Sequence, residues 1–118
     1  MISRKEGLTD INHLAETMIK YTSLNTDKNI ALSIIDRYLE RCVEGYLDGK
    51  LAGYFLIFNV AGKRSFHGYK LVNGYSVAAY KLSKDFVKDY KDISITTTTD
   101  KTQVHRLAKL LNVKLERV

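Results

Sequence analysis

The 118-residue chain is 45% hydrophobic and 27% charged, with no proline and no tract of single-residue bias, which excludes a disordered, collagen-like or linker-type polypeptide. Its one cysteine, Cys42, excludes an intramolecular disulfide and a cysteine-based zinc site, and fits a reducing, cytoplasmic compartment. The net charge of +6 points to an anionic partner, and most of it is local: between Lys63 and Lys91 seven cations face two acids, a net of +5.

A chain of this length buries roughly two-thirds of the surface its unfolded form exposes, enough for one core, and a single domain over residues 1–118 is expected. The N-terminal MISRKEGLTD has no apolar centre of the kind a signal peptide needs. The longest apolar-rich run, LAGYFLIFNVAG, is too short to cross a bilayer, so neither export nor membrane insertion is expected.

Residues around Ile2 to Arg4 can form a short first strand. From Asp10 to Tyr21 the apolar residues Ile11, Leu14, Ala15, Met18 and Ile19 recur at the spacing of one helix face, with Thr9 or Asp10 as the cap. After a polar link, Thr22 to Lys28, the residues Ile30, Ala31, Ile34, Ile35, Tyr38, Leu39 and Cys42 repeat the pattern and predict a second helix, started by Thr26 or Asp27. Periodicity then changes: Val43–Leu47 and Lys50–Val60 flank Asp48-Gly49, a strong hairpin signal because both turn positions favour φ > 0. A second turn at Ala61-Gly62-Lys63 leads into a third strand, Ser65–Val72, which completes an antiparallel meander.

Asn73-Gly74 punctuates the chain, and Tyr75, Ala79, Leu82, Phe86 and Tyr90 then follow at helical spacing with Lys81, Lys84, Lys88 and Lys91 on the other side. Residues 93–98 are β-branched at nearly every position and suit a strand. Asp100 and Gln103 resemble a capping box before Val104, Leu107, Ala108 and Leu111, and the alternation from Val113 predicts a last strand. The third strand, the helix over 75–90 and the strand over 93–98 form a crossover whose strands run parallel. The other strands, the last included, are expected to be antiparallel.

This order, with the patches LVNGYS at 71–76 and TTTTDKTQVHRLAKLLNVKLE after 95, resembles the GCN5-related N-acetyltransferase (GNAT) superfamily over nearly the whole chain, and is similar also to small acetyltransferase-like proteins encoded by bacteriophages. The resemblance implies an α/β (α+β) three-layer fold with a mixed, mostly antiparallel sheet and one parallel crossover. It implies acetyl-CoA held between the parting parallel strands, with its pyrophosphate on backbone amides of a Q/R-x-x-G-x-G/A loop. Here that loop is Leu71, Val72, Asn73, Gly74, Tyr75 and Ser76; leucine stands at the first position and serine at the last. Family members commonly carry a tyrosine acid in the following helix; none lies between Asp100 and Asn112, and His105 is the residue there able to exchange protons near neutral pH. Of the carboxylates near the first hairpin, Glu40, Glu44 and Asp48, Glu44 best fits the family's general base or water relay.

Each feature also has a plain structural reading: Gly74 as an ordinary turn with Ser76 as helix cap, Lys70 as a solvated strand end, the lysine face as a solvated helix surface, and His105 and Glu44 as surface groups. His13 and His67 lack partners at ligand spacing, so no metal is expected. Two functions stand side by side. One is an acyl-CoA-dependent N-acetyltransferase acting on a primary amine of a small molecule or protein. The other is a catalytically inactive phage protein of the same fold that binds a virion or host protein in the host cytoplasm. Nucleic-acid binding through Lys63, Arg64, Phe66, His67, Tyr69 and Lys70 is a third and lesser reading.

Overall fold

The Asp48-Gly49 and Ala61-Gly62 turns take positive φ at both positions (51° and 79°; 53° and 84°), the geometry that joins twisted antiparallel strands. In the computed structural model, which describes residues 1–21, 27–90, 92–97 and 102–117, they connect β2 (Leu39–Leu47), β3 (Lys50–Val60) and β4 (Lys63–Lys70) into the expected meander. Before it come β1 (Ile2–Glu6), α1 (Ile11–Tyr21) and α2 (Lys28–Tyr38); after it come α3 (Ser76–Val87), β5 (Ile93–Thr97), α4 (Thr102–Leu111) and β6 (Lys114–Arg117). Asp10 caps α1, accepting from the amides of Asn12 (3.0 Å) and His13 (3.2 Å), and Asp27 caps α2 through the Asn29 amide (2.8 Å). The link 22–26 and the Asp100 cap lie outside the described residues.

The six strands form one sheet in chain order. Strand β3 alternates between two cores: Phe55 and Ile57 join Phe66, Phe86 and Ile95 beneath α3 and α4, while Tyr54, Leu56 and Phe58 join Leu14, Ala31 and Ile35 beneath α1 and α2. The result is the three-layer α/β arrangement, with the helices of each pair on one face.

Two expectations are corrected. The apolar spacing from Ile30 to Cys42 predicts a helix through Cys42, but α2 ends at Tyr38, and Leu39, Arg41 and Cys42 pair with Phe58, Ile57 and Leu56 across a register shift. Ladder bonds to β3 and burial of Cys42 on the sheet outweigh the local helical pattern. The last strand is also parallel, not antiparallel: Ser94↔Lys114 through Thr97↔Arg117 make a second crossover, because α4 returns the chain to the end where β5 began.

Gly45 and Gly53 face each other directly in the β2–β3 register and leave a gap in the sheet surface. The ring of Tyr75, wholly buried, fills it. A Cβ on Gly45 would collide with the Tyr75 hydroxyl and lie 3.0 Å from its Cζ; one on Gly53 would lie 2.9 Å from the Tyr69 carbonyl oxygen. The hydroxyl itself is buried with no hydrogen-bond partner among the described residues. Gly45→Ala should therefore destabilise the fold by about 3 kcal/mol, the upper end of overpacking costs. Tyr75→Phe should be neutral or stabilising, since it removes an unpartnered buried hydroxyl, and should recover about 1 kcal/mol of the Gly45→Ala loss in the double variant. Denaturant titration measures all three; a Gly45→Ala protein of unchanged stability would contradict the slot.

Candidate active site

The turn after β4 is anchored by three side chains and open at three. Leu71 packs against the α1–α2 core, Val72 against the α3–α4 core and Tyr75 in its slot, while Asn73, Gly74 and Ser76 are exposed. Sheet bonding ends with the Leu71 amide donating to the Ala52 carbonyl (2.8 Å), and Gly74 turns the chain at φ 82°. Within α3 the amide of Ala79 donates to the Tyr75 carbonyl (2.8 Å), so the three preceding amides, Ser76 to Ala78, are orphan donors of the helix start. Tyr75, the N-cap, supplies no side-chain bond, and Ser76 does not act as the cap: its hydroxyl accepts from Lys70 Nζ (3.0 Å). An uncapped helix N-terminus with an ammonium beside it favours an anion.

Strands β4 and β5 part company next to this turn. They pair at Arg64↔Ile93, Ser65↔Ser94 and Phe66↔Ile95; beyond that β4 continues beside β3 to Gly53↔Lys70, while β5 stays with β6 to Thr97↔Arg117. The opening lies at the C-terminal ends of parallel strands, where open α/β sheets bind ligands. His67 is the first residue of β4 past the last rung. It is half-buried, its Nε2 lies 3.2 Å from Ser65 Oγ, and its ring meets Phe58 edge-on at 5.1 Å. Burial pulls its pKa down to about 4, so the imidazole is neutral at neutral pH. A lone histidine in a strand gives no sequence signal of this kind; the strand register supplies it.

Glu44 lies on the α1–α2 side of β2 and is 1% exposed. It accepts from the Thr9 amide (2.9 Å), the Thr9 hydroxyl (2.7 Å) and the Tyr46 hydroxyl (2.8 Å). Burial, the largest influence, pushes its pKa up, but these three donors together outweigh it and hold the carboxyl below its ordinary value. The sequence suggested an available base; the structure shows an ionised group whose acceptor positions are engaged. Directly across the β2–β3 ladder, Tyr54 is held protonated by burial and by the Glu44 charge, and its hydroxyl shares a hydrogen bond of 2.6 Å with His13 Nδ1. His13 borders a groove of about 360 Å³ shared with Glu16, Lys20, Leu71 and Val72, so it reaches the approach to the turn.

His105 is exposed on α4, which packs through Ala108 and Leu111 on the other face of the sheet. Glu44 and His105 are thus not brought together. Nor does the positive charge gather at the turn: Lys70 stands there, whereas Lys63, Arg64, Lys84 and Lys88 line a groove of about 820 Å³ at the opposite end of the sheet. Phe66 and Tyr69 are buried in the two cores, so β4 offers no stacking platform for bases. No group of three or more His, Cys, Asp and Glu residues that could hold a metal occurs among the described residues, and no helix there is long and apolar enough to cross a membrane.

No family model matches the chain, and no curated protein matches it in sequence. In structure it is similar to a ribosomal-protein-alanine N-acetyltransferase from Brucella melitensis biovar Abortus 2308, with a TM-score of 0.55, 14% identity, and coverage of 92% of this chain and 89% of that one. At that identity the likeness bears on architecture alone: the chain has the mixed-sheet GNAT-type fold.

Proposed function

We propose that the chain is an acyl-CoA-dependent N-acetyltransferase-like protein acting on a primary amine. The observation that carries this reading is the uncapped N-terminus of α3, with Lys70 beside it, at the mouth of the β4–β5 opening. Three orphan amides and an ammonium suit a pyrophosphate; Tyr75, locked between Gly45 and Gly53, holds them in place. Acetyl-CoA supplies the activated acetyl group as a thioester.

The protein's own part is orientation and proton handling. His67, a neutral imidazole beside the opening, orients the incoming free amine by hydrogen bonding, its depressed pKa leaving it too weak a base to deprotonate an ammonium, and His105, near the start of α4 at the same end of the sheet, serves the departing thiolate. Glu44 is a positioning residue: it fixes Thr9 and hence the start of α1, which carries His13. A non-catalytic, protein-binding role on the same fold, in a phage or its host, is the second reading. It is favoured by Leu71, which packs into a core where a polar side chain would reach the phosphates.

Acetyl-CoA titration separates the two. At about one hundred times its dissociation constant it should add about 2.7 kcal/mol of stability, and acetyl-pantetheine, which lacks the pyrophosphate, should bind more weakly. Ser76→Asp should strengthen α3 by about 0.3–1 kcal/mol while repelling the ligand about tenfold. Absence of any thermal shift at millimolar acetyl-CoA overturns the enzyme reading.

His67 and Glu44 separate by pH. The folded pKa of His67, about 4, lies below its ordinary 6.5, so the unfolded chain takes the proton first. Stability is then full above about pH 6.5 and falls toward pH 4, and His67→Gln should flatten that slope and reduce kcat through lost orientation of the amine, about tenfold. Glu44, also depressed, contributes above its ordinary value of 4.5 and loses that contribution as pH falls through its folded pKa. Glu44→Gln should cost about 1–3 kcal/mol by stranding an amide donor, with kcat changed far less than by His67→Gln. Equal kcat losses in the two variants would contradict this division of roles.

A further inference from the structure

A primary amine near neutral pH carries an extra proton and must lose it before it can attack a thioester. Most ionisable groups near the β4–β5 opening cannot take that proton. Glu44 is sealed by Thr9 and Tyr46, His67 is too weak a base at a pKa of about 4, and His105 stands on the other face of the sheet. Burial pushes the Tyr54 and Tyr69 hydroxyls up, the second to about 12.

His13 is held differently. Its amide donates to the capping Asp10 (3.2 Å), its carbonyl accepts from the Thr17 hydroxyl (2.8 Å), and its ring lies 5.7 Å from that of Tyr54, to which Nδ1 is bonded. Tyr54 is wholly buried and His13 exposed, so a core side chain fixes one edge of an imidazole whose other edge is open. Satisfying the Tyr54 hydroxyl accounts for Nδ1 alone. His13 also lines the groove of about 360 Å³ that runs from α1 to Leu71 and Val72, the first two residues of the anion-receiving turn. The other polar side chains of that groove are engaged among the described residues: Glu16 accepts from Lys28 Nζ (3.1 Å), Thr17 turns back on His13, and the Lys20 ammonium lies over the Tyr21 ring, 5.5 Å from its centre. Leu51, Leu71 and Val72 supply apolar walls. With its cation turned onto an aromatic ring and its carboxylate paired, the groove suits an uncharged, apolar body whose one polar end is the amine.

On the acyltransferase reading, we propose that His13 is the general base of the reaction and that this groove admits a primary amine on an apolar or aromatic body. Nδ1–H donates to the Tyr54 oxygen, and Nε2 takes one proton from the ammonium and passes it to water at the exposed surface of α1. The free amine, oriented by His67, attacks the thioester carbonyl carbon. The C–N bond forms, nitrogen loses a second proton to water, and the C–S bond breaks with its electron pair going to the sulfur that His105 serves. Leu71, too apolar to meet a phosphate, is then a wall of the acceptor groove.

Thiol release from acetyl-CoA by the intact protein, with phenethylamine as acceptor, tests this. Phenethylamine should be acetylated with a kcat/KM about tenfold or more above that of phenylalanine, whose carboxylate the groove leaves unpaired. His13→Gln keeps a partner for Tyr54 and has no base, so kcat should fall about 10²-fold or more with an unchanged acetyl-CoA thermal shift. In His13→Ala, added imidazole should restore part of the lost kcat, a response that a purely structural role would not give. If acetyl-CoA stabilises the protein but His13→Gln keeps the parental kcat, or phenylalanine serves as well as phenethylamine, the proposal falls and the acyltransferase reading stands. Acetyl-CoA binding without acetylation of phenethylamine overturns the groove as the acceptor site, and absence of any acetyl-CoA shift overturns both.

Discussion

The closure of Tyr75 onto Gly45 and Gly53 is the contact on which the rest of the architecture depends. A helix N-terminus can receive an anion only if its amides keep a fixed direction, and the chain before α3 has no capping side chain to fix it. The ring does so from below. Two opposed glycines let a full aromatic side chain sink into the sheet, so the residue that begins the helix is also one of the largest in the core. Turn geometry and core packing are therefore one constraint, and a change that loosens either should be felt in both.

Much of the fold was legible from local chemistry. Asp48-Gly49 and Ala61-Gly62 announce hairpins because residues that tolerate positive φ are few, and the cap at Asp10 and the apolar stripe of α1 follow from hydrogen-bond and burial periodicity. The errors came where tertiary pairing overrides local pattern. Leu39 and Cys42 fit a helical stripe as well as they fit a strand, and only β3, lying alongside, decides between them. The direction of β6 follows from α4, which carries the chain back to the end where β5 began just as α3 does between β4 and β5, so the β-α-β rule applied to the first crossover holds for the second as well.

The candidate site was legible in outline and not in its working parts. Gly74 and the helix after it mark an anion-receiving turn, but the partners that define a proton-transfer group are distant in sequence: Thr9 for Glu44, Tyr54 for His13, Phe58 for His67. Glu44 looked available because its neighbours Gly45 and Tyr46 said nothing of Thr9, thirty-five positions earlier. His67 looked idle because the rung at which β4 leaves β5 is a property of the sheet rather than of the strand.

The parallel half of the sheet also explains why the protein has two electrostatically distinct ends. Each crossover helix points its amide end toward the β4–β5 opening and its carbonyl end toward the basic groove. At the first end the backbone alone supplies positive potential, and one lysine, Lys70, suffices beside it. At the second the carbonyls supply negative potential, and any attraction for anions must come from side chains. A surplus of lysine in one stretch of sequence therefore does not mark the end where the backbone already attracts anions. It gathers where the dipoles oppose them, which is why charge read along the chain pointed to the right segment and the wrong end of the fold.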